Sequence, residues 1–175
     1  MRTRAALGSV LFFVVAPGVV AGLIPWWLTG WHARSGPWPL RALGLVLLVA
    51  GTAFLVTAFV RFVVEGLGTP APVAPPQRLV VGGIYRYVRN PMYLAVLACV
   101  LGQYLLLFQP VLLIDLLLTG VAVVAFVHLY EEPTLARSFG DEYAVYRSNV
   151  RRWIPRLVPW NPPAVVSRQR REPES

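Results

Sequence analysis

Four apolar runs limit what this chain can fold into. Residues 92–108 carry no charge, and beyond Tyr93 their only strongly polar side chains are Gln103 and Tyr104. After Gln109 and Pro110 a further run, residues 111–130, ends at Glu131 and Glu132; two earlier runs cover residues 5–28 and 42–64. A helix of about 20 apolar residues spans the hydrocarbon of a bilayer. Hydrophobic residues make up 57% of the chain and charged ones 14%, against about 25% charged in an ordinary soluble domain. The mean hydropathy is +0.60. The expected fold is an all-α integral membrane protein of about four transmembrane helices. Helices three and four form a tight hairpin across Gln109-Pro110, and a C-terminal amphipathic cytoplasmic helix follows. Residues 1–160 form one membrane-embedded domain, and residues 161–175 a disordered polar tail.

All 16 basic residues are arginine, and the net charge is +8. These arginines flank the apolar runs instead of alternating with aromatics on a soluble face, so they read as topology signals. No nucleic-acid partner is expected. With four spans, fourteen arginines share a side with both termini, and only Arg34 and Arg41 lie opposite. That bias makes both termini cytoplasmic, with a bacterial inner membrane as the expected location. The sequence leaves oligomeric state open. Cys99 is the single cysteine, so no intrachain disulfide can form. His128 three residues before Glu131 resembles half a metal site, but no second histidine lies in this region, and no metal is expected.

Residues 66–76 are too rich in proline for helix or sheet and read as an extended connector. Residues 77–88 form an amphipathic loop broken by Gly82-Gly83. Pro91 suits the first position of a helix, and Asn90 before it suits the N-cap. The expected hairpin brings that helix start to the same face as Glu131 and Glu132. Arg89 and the tyrosines Tyr85, Tyr87 and Tyr93 join them there. Beyond the glutamates, Leu135, Phe139, Tyr143, Tyr146 and Val150 form one apolar stripe on a helix expected at the membrane surface. Arg151-Arg152-Trp153-Ile154-Pro155-Arg156 reads as an interfacial anchor. Asp115 is an ionisable group inside the fourth run, near its far end, where water, Gln103 or Gln109 is within reach.

Carboxylates at a membrane boundary are seldom idle. A ligand with both a carboxylate and an ammonium or sulfonium would find a partner for each group on this face. The helix start or Arg89 suits the anion, a glutamate suits the amine, and a tyrosine ring suits the onium. S-adenosylmethionine is one such ligand.

Residues 83–93 (Gly-Ile-Tyr-Arg-Tyr-Val-Arg-Asn-Pro-Met-Tyr), then Glu131-Glu132-Pro133-Thr134-Leu135, then Phe139-Gly140-Asp141-Glu142-Tyr143 and Tyr146, resemble the isoprenylcysteine carboxyl methyltransferase and phospholipid methyltransferase superfamily. The resemblance covers nearly half the chain, about residues 77–155. It implies S-adenosylmethionine-dependent methyl transfer to a lipophilic acceptor (an isoprenoid, a lipid or a prenyl-cysteine-like group) at the cytoplasmic membrane face. The implied cofactor contacts are Gln77, Arg78, Leu79, Val80, Tyr85, Asn90, Pro91, Met92, Tyr93 and Glu131. Arg89, Glu132 and His128 are the residues implied in catalysis. Two departures stand out: Asn90 replaces the family histidine, and Val127 stands where the protein-methylating members carry a substrate-binding arginine. The same features leave two alternatives, a nicotinamide-dependent membrane reductase of related fold and a non-catalytic membrane scaffold.

Overall fold

The computed structural model describes residues 15–66 and 78–163. The first part of the expected first span, most of the proline-rich connector, Gln77 and residues 164–175 lie outside them. Every regular element among the described residues is helical. α1 is Val15–Thr29 and α2 is Trp38–Gly66. A single 3₁₀ turn, Gly83–Arg86, leads into α3, Pro91–Leu107. After Phe108, Gln109 and Pro110 comes α4, Val111–Phe126, which runs through a π-turn, Val127–Glu131, into α5, Glu132–Asn149. Two helices, Trp38–Phe62 and the run Val111–Asn149, are long and apolar enough to cross a membrane; Val15–Thr29 and Pro91–Leu107 are shorter apolar helices. Gly140 leaves helical geometry at φ 47° and ψ −121°, so the run Val111–Asn149 is not one straight rod. Residues 111–131 alone reach about 31 Å at 1.5 Å per residue, enough for an apolar layer of about 30 Å, and the charged α5 follows that stretch.

Both π-turns have the same cause. A proline inside a helix lacks an N–H and presses its ring on the carbonyl four residues earlier. Val19–Leu23 immediately precedes Ile24-Pro25, and Val127–Glu131 immediately precedes Glu132-Pro133. Widening the turn before each proline relieves the clash without ending the helix. The second of these turns holds Glu131.

α2 and α3 form the most extensive helix pair. Their backbones touch at two glycines. A methyl on Gly44 would stand 2.7 Å from the Gly102 carbonyl oxygen, and one on Gly102 would stand 2.8 Å from the Gly44 carbonyl oxygen and 2.9 Å from the Leu48 nitrogen. Small residues permit this approach, and helices in an apolar medium associate through such packing. Around it, Leu55, Ala95 and Val96 form a core against Val20, Ala21 and Met92.

A second core lies beside α5. Tyr143, Tyr146 and Val150 pack with Leu79, Val81 and Trp160, and Leu135 and Phe139 lie against them. The apolar stripe of the amphipathic helix thus faces protein, because residues 79–81 and the chain after Val150 fold back over it. That returning segment, residues 150–163, runs along the loop before α3. Backbone bonds link Arg89 N to Arg151 O (3.0 Å), Arg156 N to Tyr87 O (2.9 Å) and Trp160 N to Arg86 O (3.0 Å). The segment expected as an anchor is thus also a strap across the loop before α3. Its residue Arg152 points to other groups of the protein, while Ile154 and Leu157 remain exposed.

The α2–α3 contact yields a direct test. Gly102→Ala forces a methyl against backbone atoms that cannot rotate away, at a cost of about 1–3 kcal/mol. The variant's Tm in detergent falls by several degrees; an unchanged Tm would show that the helices do not cross at this pair.

Candidate active site

A cavity of about 350 Å³ opens between α1, α2, α3 and α4. Its polar end is formed by Tyr85, Arg89, Asn90, Tyr93 and Glu131. The remainder of its wall is largely apolar, with Val20, Leu55, Val96, Val123 and Phe126 among the lining residues. The start of α3 and the end of α4 meet at the polar end, where the Tyr93 hydroxyl donates to Glu131 Oε2 at 2.8 Å. The Phe126 ring lies edge-on to Tyr93 and stacks on Tyr130, which holds this corner of aromatics in place. A half-buried carboxylate with one fixed donor keeps acceptor capacity for a further donor.

The neighbouring glutamate has a different environment. Glu132 is buried and accepts two parallel bonds from Arg152, Nε to Oε1 at 2.8 Å and Nη2 to Oε2 at 2.5 Å. Arg89 Nη1 approaches the same Oε1 at 2.9 Å and also donates to the Tyr143 hydroxyl at 3.0 Å. Burial pushes the Tyr143 phenol up to about 12, against the pull of Arg89, so the phenol meets the guanidinium as a neutral acceptor. Two guanidinium groups on one carboxylate make Glu132 a structural anion, and its oxygens are already engaged. His128 is exposed, outside the cavity wall, and pairs through Nε2 with Arg152 Nη1.

Asn90 departs from the expected cap. It occupies the N-cap position, with φ −116° and ψ 57°, but its side chain makes no cap bond. The side-chain amide instead donates to the Arg152 carbonyl at 3.3 Å. The cause is the strap, which pairs with the loop at Arg89 and draws the neighbouring side chain toward it. Tyr85 is buried beside Phe62, donates weakly to the Ala58 carbonyl at 3.4 Å, and accepts the Tyr146 hydroxyl on its own carbonyl at 2.7 Å. The Arg89 Nε is buried with no hydrogen-bond partner among the described residues. The guanidinium at the cavity's edge therefore retains bonding capacity.

Seven of the residues singled out in the sequence converge on this cavity: Tyr85, Arg89, Asn90, Pro91, Met92, Tyr93 and Glu131. Arg78, Leu79 and Val80 do not line it, and Leu79 belongs to the second core. Gln77 lies outside the described residues. Arg152 and Tyr143, which fix Arg89 and Glu132, read in the sequence as parts of an anchor and an apolar stripe, not as members of the site. The signal for Arg152 was hidden in a pair of arginines that reads equally well as a membrane anchor.

Fold and site together define an integral membrane protein with a cavity that is ionic at one end and apolar along its length. Residues 40–142, more than half of the chain, match the phospholipid methyltransferase family model, and the chain belongs to that family. It is therefore a membrane methyltransferase by family. No curated protein matches it.

The two glutamates are expected to respond differently to substitution. Glu132→Ala leaves Arg89 and Arg152 facing each other without their anion, a loss on the order of 3 kcal/mol for a broken buried pair. Glu131→Gln keeps a hydrogen-bonding partner for Tyr93 and leaves stability nearly unchanged. Thermal unfolding in detergent reads both; equal Tm values for the two variants would contradict the division of roles.

Proposed function

We propose that this protein transfers a methyl group from S-adenosylmethionine to a lipophilic acceptor at the cytoplasmic face of the membrane. The observation that carries this reading is the Tyr93–Glu131 contact at the ionic end of the apolar cavity. The family assignment supports the reaction class. The chemistry of the lining supports the donor: Glu131 offers a carboxylate to the ammonium of the methionine moiety, and Arg89, whose Nε has no partner among the described residues, suits the carboxylate at the same end. On this reading the chain has four spans, α3 and α4 form a hairpin and both termini are cytoplasmic, and the ionic end then belongs to the arginine-rich face.

S-adenosylmethionine supplies, when bound, an electrophilic methyl group on a sulfonium. Tyr93 holds the Glu131 carboxylate in one orientation, so the ammonium is received at a fixed point. The aromatic faces of Tyr85 and Tyr93 suit a sulfonium by cation–π attraction. Glu132 and Arg152 act by positioning Arg89. The apolar walls exclude water and align the acceptor, and alignment is the main requirement of an in-line displacement. A membrane-embedded site fits an acceptor that enters sideways from the bilayer, such as an isoprenoid or a lipid.

The test is titration of the detergent-purified protein with S-adenosylmethionine in a calorimeter, and with NADPH in parallel. The wild type binds S-adenosylmethionine. Glu131→Gln loses a charge-assisted hydrogen bond of about 1.5–3 kcal/mol, hence about 10- to 100-fold in affinity. Binding of NADPH alone would favour a reductase, and unchanged affinity in Glu131→Gln would refute the assigned role. Incubation of membranes with S-adenosylmethionine radiolabelled in its methyl group puts label into extracted lipids; failure to label lipids despite binding would reject a lipophilic acceptor.

A further inference from the structure

The far end of the cavity carries a polar feature that the proposed reaction does not use. Along α4 the lining runs from Glu131 down through Phe126, Val123 and Ala122 to Thr119. That is 12 residues, or about 18 Å of helix. A volume of about 350 Å³ is at the low end for ligand sites, room for one slender chain. Between its two ends the wall is largely apolar, so a polar group on a ligand's middle would lose its hydration without replacement.

Thr119 is unlike its counterparts elsewhere. Thr29, Thr52 and Thr57 turn their hydroxyls back to the carbonyl four residues earlier, at 2.6, 2.8 and 2.8 Å. That is the ordinary way for a helix to satisfy a hydroxyl in an apolar setting. Thr119 instead directs its hydroxyl to the Asp115 carboxyl, in a long contact of 3.5 Å to Oδ1. Asp115 is one turn further along α4, next to the lining rather than part of it, is 7% exposed, and its Oδ2 is buried with no hydrogen-bond partner among the described residues. A buried oxygen left in this state is costly. An acid kept in an apolar run without a full set of partners marks a site for a donor from elsewhere.

We infer that Thr119 and Asp115 form a second binding subsite, which receives a hydroxyl at the far end of the ligand chain held in the cavity. The ligand class is an elongated amphiphile whose chain lies along the apolar wall and whose terminal hydroxyl sits about 18 Å from the Glu131 end. The ligand hydroxyl donates to the Thr119 oxygen, whose own proton is directed to Asp115 Oδ1. A plain alkyl end of the same reach would instead press carbon against a carboxyl group and gain nothing there. The inference rests on the reading of the cavity as the acceptor's place, but not on methyl transfer itself.

The experiment therefore measures binding. Primary alkylamines of graded chain length, each with and without a terminal hydroxyl, are titrated onto the full-length protein, and bound fractions are read by native mass spectrometry. Their ammonium suits Glu131. At the matching length the wild type prefers the hydroxylated probe about tenfold, the equivalent of one hydrogen bond. Asp115→Leu abolishes the preference while plain chains still bind. Thr119→Val keeps the shape of the wall, provides a second variant should Asp115→Leu fail to fold, and likewise loses the preference. No preference at any length in the wild type overturns the inference, as does a preference that survives Thr119→Val and any folded Asp115→Leu. S-adenosylmethionine binding is measured on the same preparations. Its loss with the hydroxyl preference intact counts against the proposed methyl donor alone; the converse pattern counts against the subsite alone.

Discussion

A carboxylate shared by two guanidinium groups joins the parts of this protein that must act together. Arg89 comes from the loop before α3, Glu132 from the first turn of α5, and Arg152 from the returning strap. Both side chains of the Arg89–Glu132 pair are largely withdrawn from water, at 8% and 11% exposure. Separating such partners exposes each to the desolvation already incurred. The cluster therefore holds the loop, the helix end and the strap in one arrangement. Backbone pairing of the strap with residues 86–89 and the Tyr146–Trp160 contact reinforce it.

The proline at position 133 separates the tasks of the adjacent glutamates. By widening the turn before it, Pro133 keeps α4 and α5 continuous while Glu131 faces the cavity and Glu132 faces the arginines. One carboxylate is consumed in structure; the other keeps acceptor capacity. Because Tyr93 is at the start of α3 and Glu131 just past the end of α4, their bond also records how those helices lie together. The Gly44–Gly102 contact supports the same arrangement from the α2 side.

The apolar runs made the helical membrane character legible, and the ordered motifs from Tyr85 to Tyr93 and at Glu131 located the polar end of the cavity. Other features had no comparable signal. Val20, Leu55, Val96 and Phe126 line the cavity, but an apolar side chain facing a slot has the same composition as one facing lipid. The stripe on α5 was legible as a stripe, yet its periodicity is silent about what covers it; the partners, Leu79, Val81 and Trp160, come from distant parts of the chain. Asn90 carries the residue type of a cap, and tertiary pairing with Arg152 overrides that local preference. Gly44 and Gly102 are ordinary glycines until the two helices are superposed.

The methyl-donor site proposed above lies where the start of α3 and the end of α4 converge. Its most direct test is ultraviolet photolabelling of the purified protein with radiolabelled S-adenosylmethionine, followed by proteolysis and mapping of the labelled peptides. Label is predicted on two peptides, one containing Tyr85 and Tyr93 and the other containing Glu131, and excess unlabelled S-adenosylmethionine removes it from both. Label confined to other segments, or label that excess ligand does not displace, would contradict the account.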